Sequence, residues 1–324
     1  MGKMMDYFSI TSKILVSEAK KLGFFVEILN EKKNFFLIKG NGKEVYFKNN
    51  DFGGNSALGY KIADDKELTN LILDKNGVKV PKSIYLKKSE FDSFDVTSIN
   101  LSFPLVTKPV DEGHGNGVTV GIDSLDELNY GIKEAFRFSD NIIIQEHIEG
   151  DEHRILVIGD KIVLGIKRIP AFIIGDGIHN IKELIEIENK NPLRGIGYES
   201  ILCIIKTDDR LMHYIGKNGY NLYSVPKKRE NIQLVGISNL GAGGVLKNVT
   251  NDLGEELKQE CLKAAKILGL KVVGVDVVTK DLSKSLIETN GAIIEVNTTP
   301  GFGGDFELAG VNTGLELLKH VFNI

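Results

Sequence analysis

Acidic side chains interrupt two apolar segments near the end of the chain, and this pattern constrains the fold more than any other feature. Asp276 lies within the run Gly274–Val278. Glu295 and Asn297 follow the apolar pair at 293–294, and they point to the same side because side chains alternate along a strand. A buried carboxylate needs a partner, since removing its charge from water is costly. Two interpretations follow: an acid pair held by salt bridges or at a sheet edge, and a site for a hard cation such as Mg²⁺, which takes oxygen ligands.

Length and composition exclude several classes of protein. A chain of 324 residues is long for one hydrophobic core, so we expect two or three subdomains. The formal net charge of -4 gives no bulk attraction for nucleic acid, although local basic patches stay open. No apolar run reaches the roughly 20 residues that cross a bilayer, and the first residues lack a signal-peptide core and a myristoylation motif. Cys203 and Cys261 have no disulfide or zinc spacing and suit a reducing compartment. We expect a cytoplasmic protein that binds neither nucleic acid nor membrane.

Periodicity and turn residues predict a mixture of helices and antiparallel strands. In the helix that Asp64 or Asp65 begins, Leu68, Leu71 and Ile72 are expected to face inward. The spacing of a capping box occurs at three helix starts: Ser124 with Glu127, Asn180 with Glu183, and Asp252 with Glu255. The predicted helices are 9–22, 64–75, a helix from 124, a helix from 180, 252–268 and 314–321. The predicted strands are 24–29, 34–38, 44–48, 103–108, 117–122, 141–145, 154–159, 161–168 and the two acidic segments.

Alternate glycines follow one of these strands. Gly113, Gly115 and Gly117 remove side chains where backbone amides would line a concavity for anionic oxygens, and Lys108 at the strand end would add a positive charge. An ordinary glycine hairpin with a surface lysine is the alternative. The segment is not a Walker A loop, since no Gly-Lys-Ser/Thr follows.

A dense polar cluster ends the strand at 141–145. A carboxylate of this cluster would bind a ribose hydroxyl pair, and Arg154 would hold a phosphate through two hydrogen bonds. A zinc site at His147 and His153 is disfavoured because further ligands are missing. Lys167 and Arg168 are adjacent on a strand and point to opposite faces, so only one of them need serve a site.

Taken in this order, the residues resemble the ATP-grasp ligases from about residue 60 to residue 310. The resemblance rests on Lys66, Lys108 with its glycine loop, Gln145–Glu152, Arg168, Asp276, Glu295, Asn297 and Pro300-Gly301. Three stretches resemble the ATP-grasp domain of cyanophycin synthetases and, next, the ligase module of bifunctional glutathione synthetases: 171–185, 189–195 and 291–297. The sequence leaves no room for a further Mur-ligase-like module or a full leading domain, so the resemblance predicts ATP-grasp chemistry rather than cyanophycin synthesis.

The resemblance implies an α/β (α+β) ATP-grasp fold. Two subdomains with antiparallel sheets would clasp ATP, beside a small N-terminal α/β unit. The implied divisions are a substrate-side region at 1–59, a nucleotide-lid subdomain at 60–140, and a catalytic and metal-binding subdomain at 141–324.

The resemblance also implies a role for individual residues. Lys66 and Lys108 would contact the phosphates of ATP, and Lys108 and Arg168 would act in catalysis. The remaining nucleotide residues would be Gly113, Gly115 and Gly117 in the covering loop, Gln145, Glu146 and Ile148 at the adenine, and Glu152 at the ribose. Mg²⁺, with Mn²⁺ as an alternative, would be held by Asp276, Glu295 and Asn297. The acid substrate would meet Arg154, Arg194, Asn239, Gly243 and Gly244.

The implied reaction is ATP-dependent formation of an amide from a carboxylate and an amine, through an acylphosphate. The partners would be small amino acid or peptide substrates, and a homodimer is left open. Two alternatives remain: a nucleotide-binding regulatory protein without catalysis, and a ligase that closes side-chain amides on a ribosomal peptide precursor.

Overall fold

An N-terminal α/β unit opens the fold. The computed structural model describes residues 7–112, 115–196, 200, 202–238, 240–302 and 309–324. Strands β1, β2 and β3 form an antiparallel sheet in that order, and helix α1 covers one face of it. The helix begins at the predicted place because the Ser9 hydroxyl accepts from the backbone N–H of Ser12. These elements span Ile10–Lys21 (α1), Phe25–Asn30 (β1), Phe35–Gly40 (β2) and Lys43–Lys48 (β3), close to the prediction.

Two helices lead from this unit to the next sheet: α2 at Ala57–Ala63 and α3 at Lys66–Lys75. Asp65 caps α3, as predicted, by accepting from two backbone N–H groups. The predicted inward face of α3 is wrong at Leu68 and Leu71, which are exposed, whereas Thr69 and Leu73 are buried. The Thr69 hydroxyl donates to the carbonyl of Ile62 at 2.6 Å, which turns this side of α3 toward α2. Helix α2 itself was not predicted.

A second sheet has the order β4-β7-β5-β6 and is antiparallel throughout. Helix α4 packs on it through Leu128, Ile132, Ala135 and Phe136, the residues that the sequence predicted. Strand β7 lies between β4 and β5 in this sheet, although its residues follow the subdomain boundary expected at residue 140. That boundary stays a prediction. The bounds are Ser83–Lys87 (β4), Leu105–Pro109 (β5), Thr119–Ile122 (β6), Leu125–Ala135 (α4) and Asn141–Glu146 (β7).

A hairpin of β8 and β9 follows, and the chain then makes an insertion at residues 170–244 before it returns to the same sheet. The insertion has its own core around Ile181, Leu211 and Leu234, and Val120 of β6 and the preceding Val118 pack against that core. The predicted capping box of Asn180 and Glu183 is present at the start of α5. The bounds are Asp151–Ile158 (β8), Lys161–Ile169 (β9), Phe172–Ile174 (β10), Ile181–Glu188 (α5), Arg194–Gly195 (β11), Leu202–Cys203 (β12), Asp209–Lys217 (α6) and Asn231–Gln233 (β13).

The largest sheet described has five strands in the order β14-β9-β8-β15-β16, and all of its neighbouring strands are antiparallel. Helix α7 has the predicted buried stripe, but its predicted capping box is wrong: Gly254 is the N-cap, and Asp252 lies in a preceding 3₁₀ turn that moves it out of reach. The short helix α8 was not predicted. The bounds are Val245–Asn248 (β14), Glu255–Ile267 (α7), Val272–Thr279 (β15), Leu286–Thr289 (α8), Ala292–Asn297 (β16) and Thr313–Phe322 (α9).

The two faces of this sheet have different surroundings. Val273, Val275 and Val277 face the core under α7. On the opposite face, Leu156 and Val272 pack against the N-terminal unit and α9. Polar residues occupy the rest of that opposite face, so the apolar contacts hold the sheet while leaving one end of it for a site. Among the described residues, no helix is long and apolar enough to cross a membrane.

Candidate active site

Cross-strand register collects the charged residues on one face of the five-stranded sheet. Asp276 on β15 lies opposite Arg154 on β8 and opposite Glu295 on β16. Glu152 on β8 lies opposite Arg168 on β9. The two halves of the cluster are more than a hundred residues apart in the sequence, and the pairing of β8 with β15 brings them together.

Arg154 and Asp276 form the shortest pair of this cluster. Nε of Arg154 donates to Oδ1 of Asp276, and Nη2 donates to Oδ2, both at 2.6 Å. Asp276 is 1% exposed, so its charge depends on such partners. Gly274 makes room for the arginine, because a Cβ at this position would lie 3.1 Å from Cδ and Nε of Arg154. The two bonds fix the plane of the carboxylate.

Arg168 joins two acids of the cluster. Its Nη1 donates to Oε1 of Glu152 at 2.8 Å and to Oδ2 of Asp276 at 3.2 Å. Burial raises the pKa of Glu152, although Arg168 opposes this shift. Lys167 leaves the cluster and pairs with Asp151, in line with the prediction that these two cations face opposite sides.

Asp276, Glu295 and Asn297 converge; the spacing predicted that Glu295 and Asn297 share one side, and the register of β15 and β16 adds Asp276. Nδ2 of Asn297 donates to Oδ2 of Asp276 at 3.1 Å and to Oε2 of Glu295 at 3.3 Å. Burial raises the pKa of Asp276, but Arg154 and Arg168 outweigh it, so this pKa is lowered and the carboxylate is ionised.

This donor set fits a hard divalent ion. Two carboxylates and one amide oxygen are the ligand types that magnesium takes, with phosphate oxygens and water as the others. Oδ1 of Asp276 accepts one hydrogen bond from Arg154, and a carboxylate oxygen has two acceptor positions. No group of three or more His, Cys, Asp or Glu side chains among the described residues is placed to hold a metal, and the set above reaches three donors only with the amide of Asn297.

Lys66 connects this cluster to the glycine loop. Its Nζ donates to the carbonyl oxygens of Val110 and Glu112, at 2.9 and 3.0 Å, and lies 3.4 Å from Oε1 of Glu295. As the first residue of α3, its charge opposes the helix dipole. The contacts explain why a cation is nevertheless useful there.

Lys108 reaches the same place from β5. Its side chain is buried, and its Nζ donates to the carbonyl of Ile294, next to Glu295, at 3.2 Å. Burial lowers the pKa of Lys108 to about 8, and the negative charge of Glu295 acts in the opposite direction. Lys66 and Lys108 therefore bring two amines to one edge of the acid cluster.

Two glycines of the loop after Lys108 lie in the left-handed region of backbone conformation. Gly115 has φ 75° and Gly117 has φ 66°. A Cβ on Gly115 would lie 2.4 Å from Cδ1 of Ile237, so the loop packs closely against the insertion. Gly113 lies outside the described residues.

The predicted nucleotide residues of β7 and β8 lie near the junction of the two large sheets. Gln145 is buried at the end of β7, and its Oε1 has no hydrogen-bond partner among the described residues. Glu146 ends β7, and its carboxylate lies 3.9 Å from Nζ of Lys82. Ile148 is half-buried in the connection to β8, and Glu152 is held by Arg168.

The predicted substrate residues of the insertion have internal contacts. Nε of Arg194 donates to Glu188 at 3.0 Å, and its Nη1 donates to the carbonyl oxygens of Cys203 and Gly243 at 2.8 and 2.9 Å. Gly244 is buried next to Gly243, whereas Asn239 is not among the described residues. A role for these residues in binding substrate stays a prediction.

A cavity of about 390 Å³ lies on another side of the glycine loop, between α4 and α6. Tyr130 and His213 stack across it with ring centroids 4.4 Å apart. Nζ of Lys217 contacts the carboxylates of Glu127 and Asp123, which ties α6 to α4 and to the end of β6. The charged cluster of the five-stranded sheet does not line this cavity.

Sequence reasoning missed three features of the site. It assigned Arg154 to a substrate and did not foresee the bond from Arg154 to Asp276. It also did not single out Gly274 as space for that side chain, or the carbonyl of Ile294 as the acceptor for Lys108. The spacing of Gly274 and Asp276, two residues apart on one strand, was the signal that a side chain from a neighbouring strand crosses there.

Several known proteins have sequences similar to this chain. Residues 63–172 match the RimK-like ATP-grasp domain. Cyanophycin synthetase of Synechocystis sp. is 38% identical over 248 residues, which are 76% of this chain and 28% of that protein. The bifunctional glutathione biosynthesis protein of Clostridium perfringens is 31% identical over 298 residues, 90% of this chain and 38% of that protein. The chain thus spans less than half the length of these relatives.

A solved structure agrees with the fold. The bifunctional glutathione synthetase of Pasteurella multocida superposes with a TM-score of 0.70 at 26% identity, over 98% of this chain and 44% of that one. The predicted α/β fold with two large antiparallel sheets is confirmed, and so is the resemblance on which it rested. The chain belongs to the ATP-grasp ligases.

Proposed function

We propose that this protein is an ATP-dependent carboxylate–amine ligase that forms an amide between amino acid or peptide substrates and releases ADP and phosphate. The observation that carries the proposal is the convergence of two arginines, two carboxylates and an amide on one sheet face, with Lys66 and Lys108 at its edge. The relatives named above have this type of activity in their names, which supports the same reaction class.

Positive charge at the edge of the cluster would hold the nucleotide. Lys66 and Lys108 are assigned to the phosphates of ATP, and the loop of Gly113, Gly115 and Gly117 covers them. Gln145 supports an adenine site at the other end, since its buried Oε1 is a free acceptor among the described groups and suits an exocyclic amine. Glu146 and Ile148 are assigned to the adenine through their backbone, and Glu152 to the ribose.

Asp276, Glu295 and Asn297 are the residues that would hold magnesium, and Mn²⁺ suits the same oxygen donors. The bound metal would offset the negative charge of the phosphates and orient them. The amide of Asn297 would then present its oxygen, the reverse of its present contact with the two carboxylates.

Bond formation in this reaction has two steps. A carboxylate oxygen of the acid attacks the terminal phosphorus of ATP, which breaks the bond to ADP and gives an acylphosphate. The amine nitrogen then attacks the acyl carbon, phosphate leaves, and the amine loses a proton. Neither step needs a nucleophilic side chain, since phosphoryl transfer depends on positioning and on neutralising charge.

Arg168 is assigned to the charge that develops in both steps. Its guanidinium lies between Glu152 and Asp276, so it sits where the nucleotide and the metal residues meet. A planar donor of this kind stabilises an oxyanion more strongly in the transition state than in the ground state. We further assign the protein to the cytoplasm, because its two cysteines have no disulfide spacing and suit a reducing compartment.

A pairwise screen of amino acids and short peptides for ADP release, with product identification by mass, tests the proposal. The expected result is ADP and an amide in equal amounts, from one acid and one amine together. Asp276→Asn and Glu295→Gln should each abolish it, because each removes a charge from the metal site. No ADP release with any pair, from protein that binds ATP, would support the regulatory alternative instead.

A further inference from the structure

The end of the insertion exposes apolar side chains that have no structural role. This end, here named the insertion tip, consists of residues 174–182 and 222–230. Ile178 is 77% exposed and Tyr223 is 78% exposed, and Ile174 and Val225 are exposed beside them. Large apolar groups grouped at one end of a subdomain mark a contact surface more often than isolated ones do.

Backbone hydrogen bonds hold the two segments of the tip together. The N–H of Arg229 donates to the carbonyl of Gly175 at 2.7 Å, and the N–H of Gly175 donates to the carbonyl of Glu230 at 2.8 Å. The N–H of Ile181 donates to the carbonyl of Ser224 at 3.0 Å. Arg229 adopts φ 69°, a conformation that non-glycine residues rarely take, so this loop has a defined shape.

Four cations surround these apolar groups. They are exposed, and in the described part of the chain none of them has a carboxylate within 4 Å: Lys182, Lys227, Lys228 and Arg229. Elsewhere the chain pairs many of its lysines and arginines, and its formal net charge is -4. Within the tip these four cations stand against two acids, Asp176 and Glu230, so the tip has a local excess of positive charge on a chain that is formally negative.

The acids of the tip are turned toward its own groups. Asp176 accepts from the ring of His179 at 2.6 Å and from the backbone N–H of Ile178 at 2.8 Å. Glu230 accepts from the Tyr220 hydroxyl at 2.8 Å and from the backbone N–H of Lys227 at 2.6 Å. The hydrogen bond to Asp176 raises the pKa of His179, and the positive charge of the protonated ring offsets the negative charge of Asp176. These carboxylates shape the loop and leave the lysine side chains available.

A short stretch of chain connects the tip to the catalytic sheet. The insertion begins directly after β9, which carries Arg168, and Ile174 is six residues further along the chain. Six extended residues span at most about 20 Å. A peptide bound beside Ile174 therefore has at most about 20 Å to span in order to place its reacting carboxylate at Arg168.

We propose that the insertion tip binds an acidic peptide segment with interspersed apolar residues, which belongs to a peptide substrate of the ligase. This assignment of a substrate class rests on the proposed function. Acidic side chains of the peptide meet the four cations, and its apolar side chains cover Ile178, Tyr223 and Val225. The charged and apolar groups of the tip lie along both of its segments. A peptide in an extended conformation can contact all of them at once, so we expect the ligand to be extended.

Fluorescence anisotropy with a labelled decapeptide of alternating glutamate and leucine tests the surface without ATP. The double variant Lys227→Glu and Lys228→Glu should bind this probe at least about tenfold more weakly, since two attractions become repulsions. A matched control reverses two exposed lysines outside the tip, Lys13→Glu and Lys161→Glu, and should bind within about twofold of the wild type. A probe with glutamine in place of glutamate should bind as weakly as the double variant binds the acidic probe.

Several results would overturn the proposal. If the variant Lys227→Glu with Lys228→Glu and the control Lys13→Glu with Lys161→Glu bind the acidic probe equally well, the tip is not the binding site of the probe. Tighter binding of a single-stranded oligonucleotide or of anionic phospholipid vesicles than of the peptide would give the surface to another class of ligand. Circular dichroism of both double variants checks that they fold, and the milder variant Lys227→Gln with Lys228→Gln should show an intermediate loss.

The ADP-release screen separates this proposal from the proposed function. If the double variant still releases ADP with small substrates but fails to bind the probe, both proposals stand. If the wild type binds the probe as expected but never releases ADP with any substrate pair, the proposed function fails and the binding surface stands.

Discussion

Replacing Arg154 with methionine should destabilise the protein by about 3 kcal/mol. The change removes both hydrogen bonds to Asp276, each 2.6 Å long, while the apolar stem of the side chain is largely kept. Breaking a buried pair by removing one partner costs about 3–5 kcal/mol, because a buried charge is left without compensation. Arg168 still contacts Oδ2 of Asp276 at 3.2 Å, so we expect the lower end of that range.

Urea denaturation at neutral pH, in buffer with a chelator, measures this loss. Arg137→Met is the matched control, since Arg137 also makes two bonds to one carboxylate, that of Glu134, at 3.0 and 3.1 Å. Arg137 is 65% exposed, so its removal should cost much less stability than the removal of Arg154. A double-mutant cycle with Asp276→Asn should show that the loss at Arg154 depends mainly on Asp276.

Equal losses in the two arginine variants would refute this reasoning. If Arg154→Met unfolds like Arg137→Met but raises KM for the acid substrate, Arg154 acts on the substrate rather than on Asp276. The buried pair would then be a minor contact, and the orientation of Asp276 would depend on Arg168 and Asn297.

Three further predictions concern single residues. Lys108→Ala should weaken ATP binding and lower turnover together, because a buried charged contact is lost. The binding free energy and the activation free energy should each become less favourable by about 2–4 kcal/mol. Unchanged ATP affinity in a binding titration would contradict the assignment of Lys108 to the phosphates. Arg168→Ala should lower kcat about a hundredfold or more with little change in ATP affinity, and Arg168→Lys should recover little, since an ammonium lacks the planar fork; a proportional loss of ATP affinity would place Arg168 in ground-state binding. Burial lowers the pKa of His153 to about 4, so the native state stays neutral while the unfolded chain takes up a proton below about pH 6.5. Stability should therefore fall between pH 6.5 and pH 4 by up to about 3 kcal/mol, and urea unfolding of His153→Gln across this range should show a smaller fall; parallel pH profiles would contradict this explanation.

Local sequence signals predicted the elements whose ends depend on neighbouring residues. Ser124 begins α4 and Asn180 begins α5, because a cap needs only a side chain and a backbone N–H three residues away. The same signal misled at Asp252, where the preceding turn moves the start of α7 to Glu255. The face of α3 was wrong because apolar residues occur around the helix, and its packing against α2 decides which of them are buried.

The candidate site divides in the same way. Alternation along a strand was sufficient to place Glu295 beside Asn297, and the order of motifs was sufficient to identify the family. The pairing of Asp276 with Arg154 and Glu295 is different, since it depends on the register of three strands. No local signal encodes that register.

By itself, the sequence determined the family, the element types and the residues that carry charge, because these depend on short-range pattern and composition. Tertiary structure alone decided which charges meet. Arg154 became the partner of Asp276 because β8 lies beside β15, and Gly274 leaves space for its side chain. Lys66 and Lys108 meet near Glu295 because helix α3 begins, and strand β5 ends, beside strand β16. Contacts between residues more than a hundred positions apart arise from sheet order and core packing, which act over the whole chain.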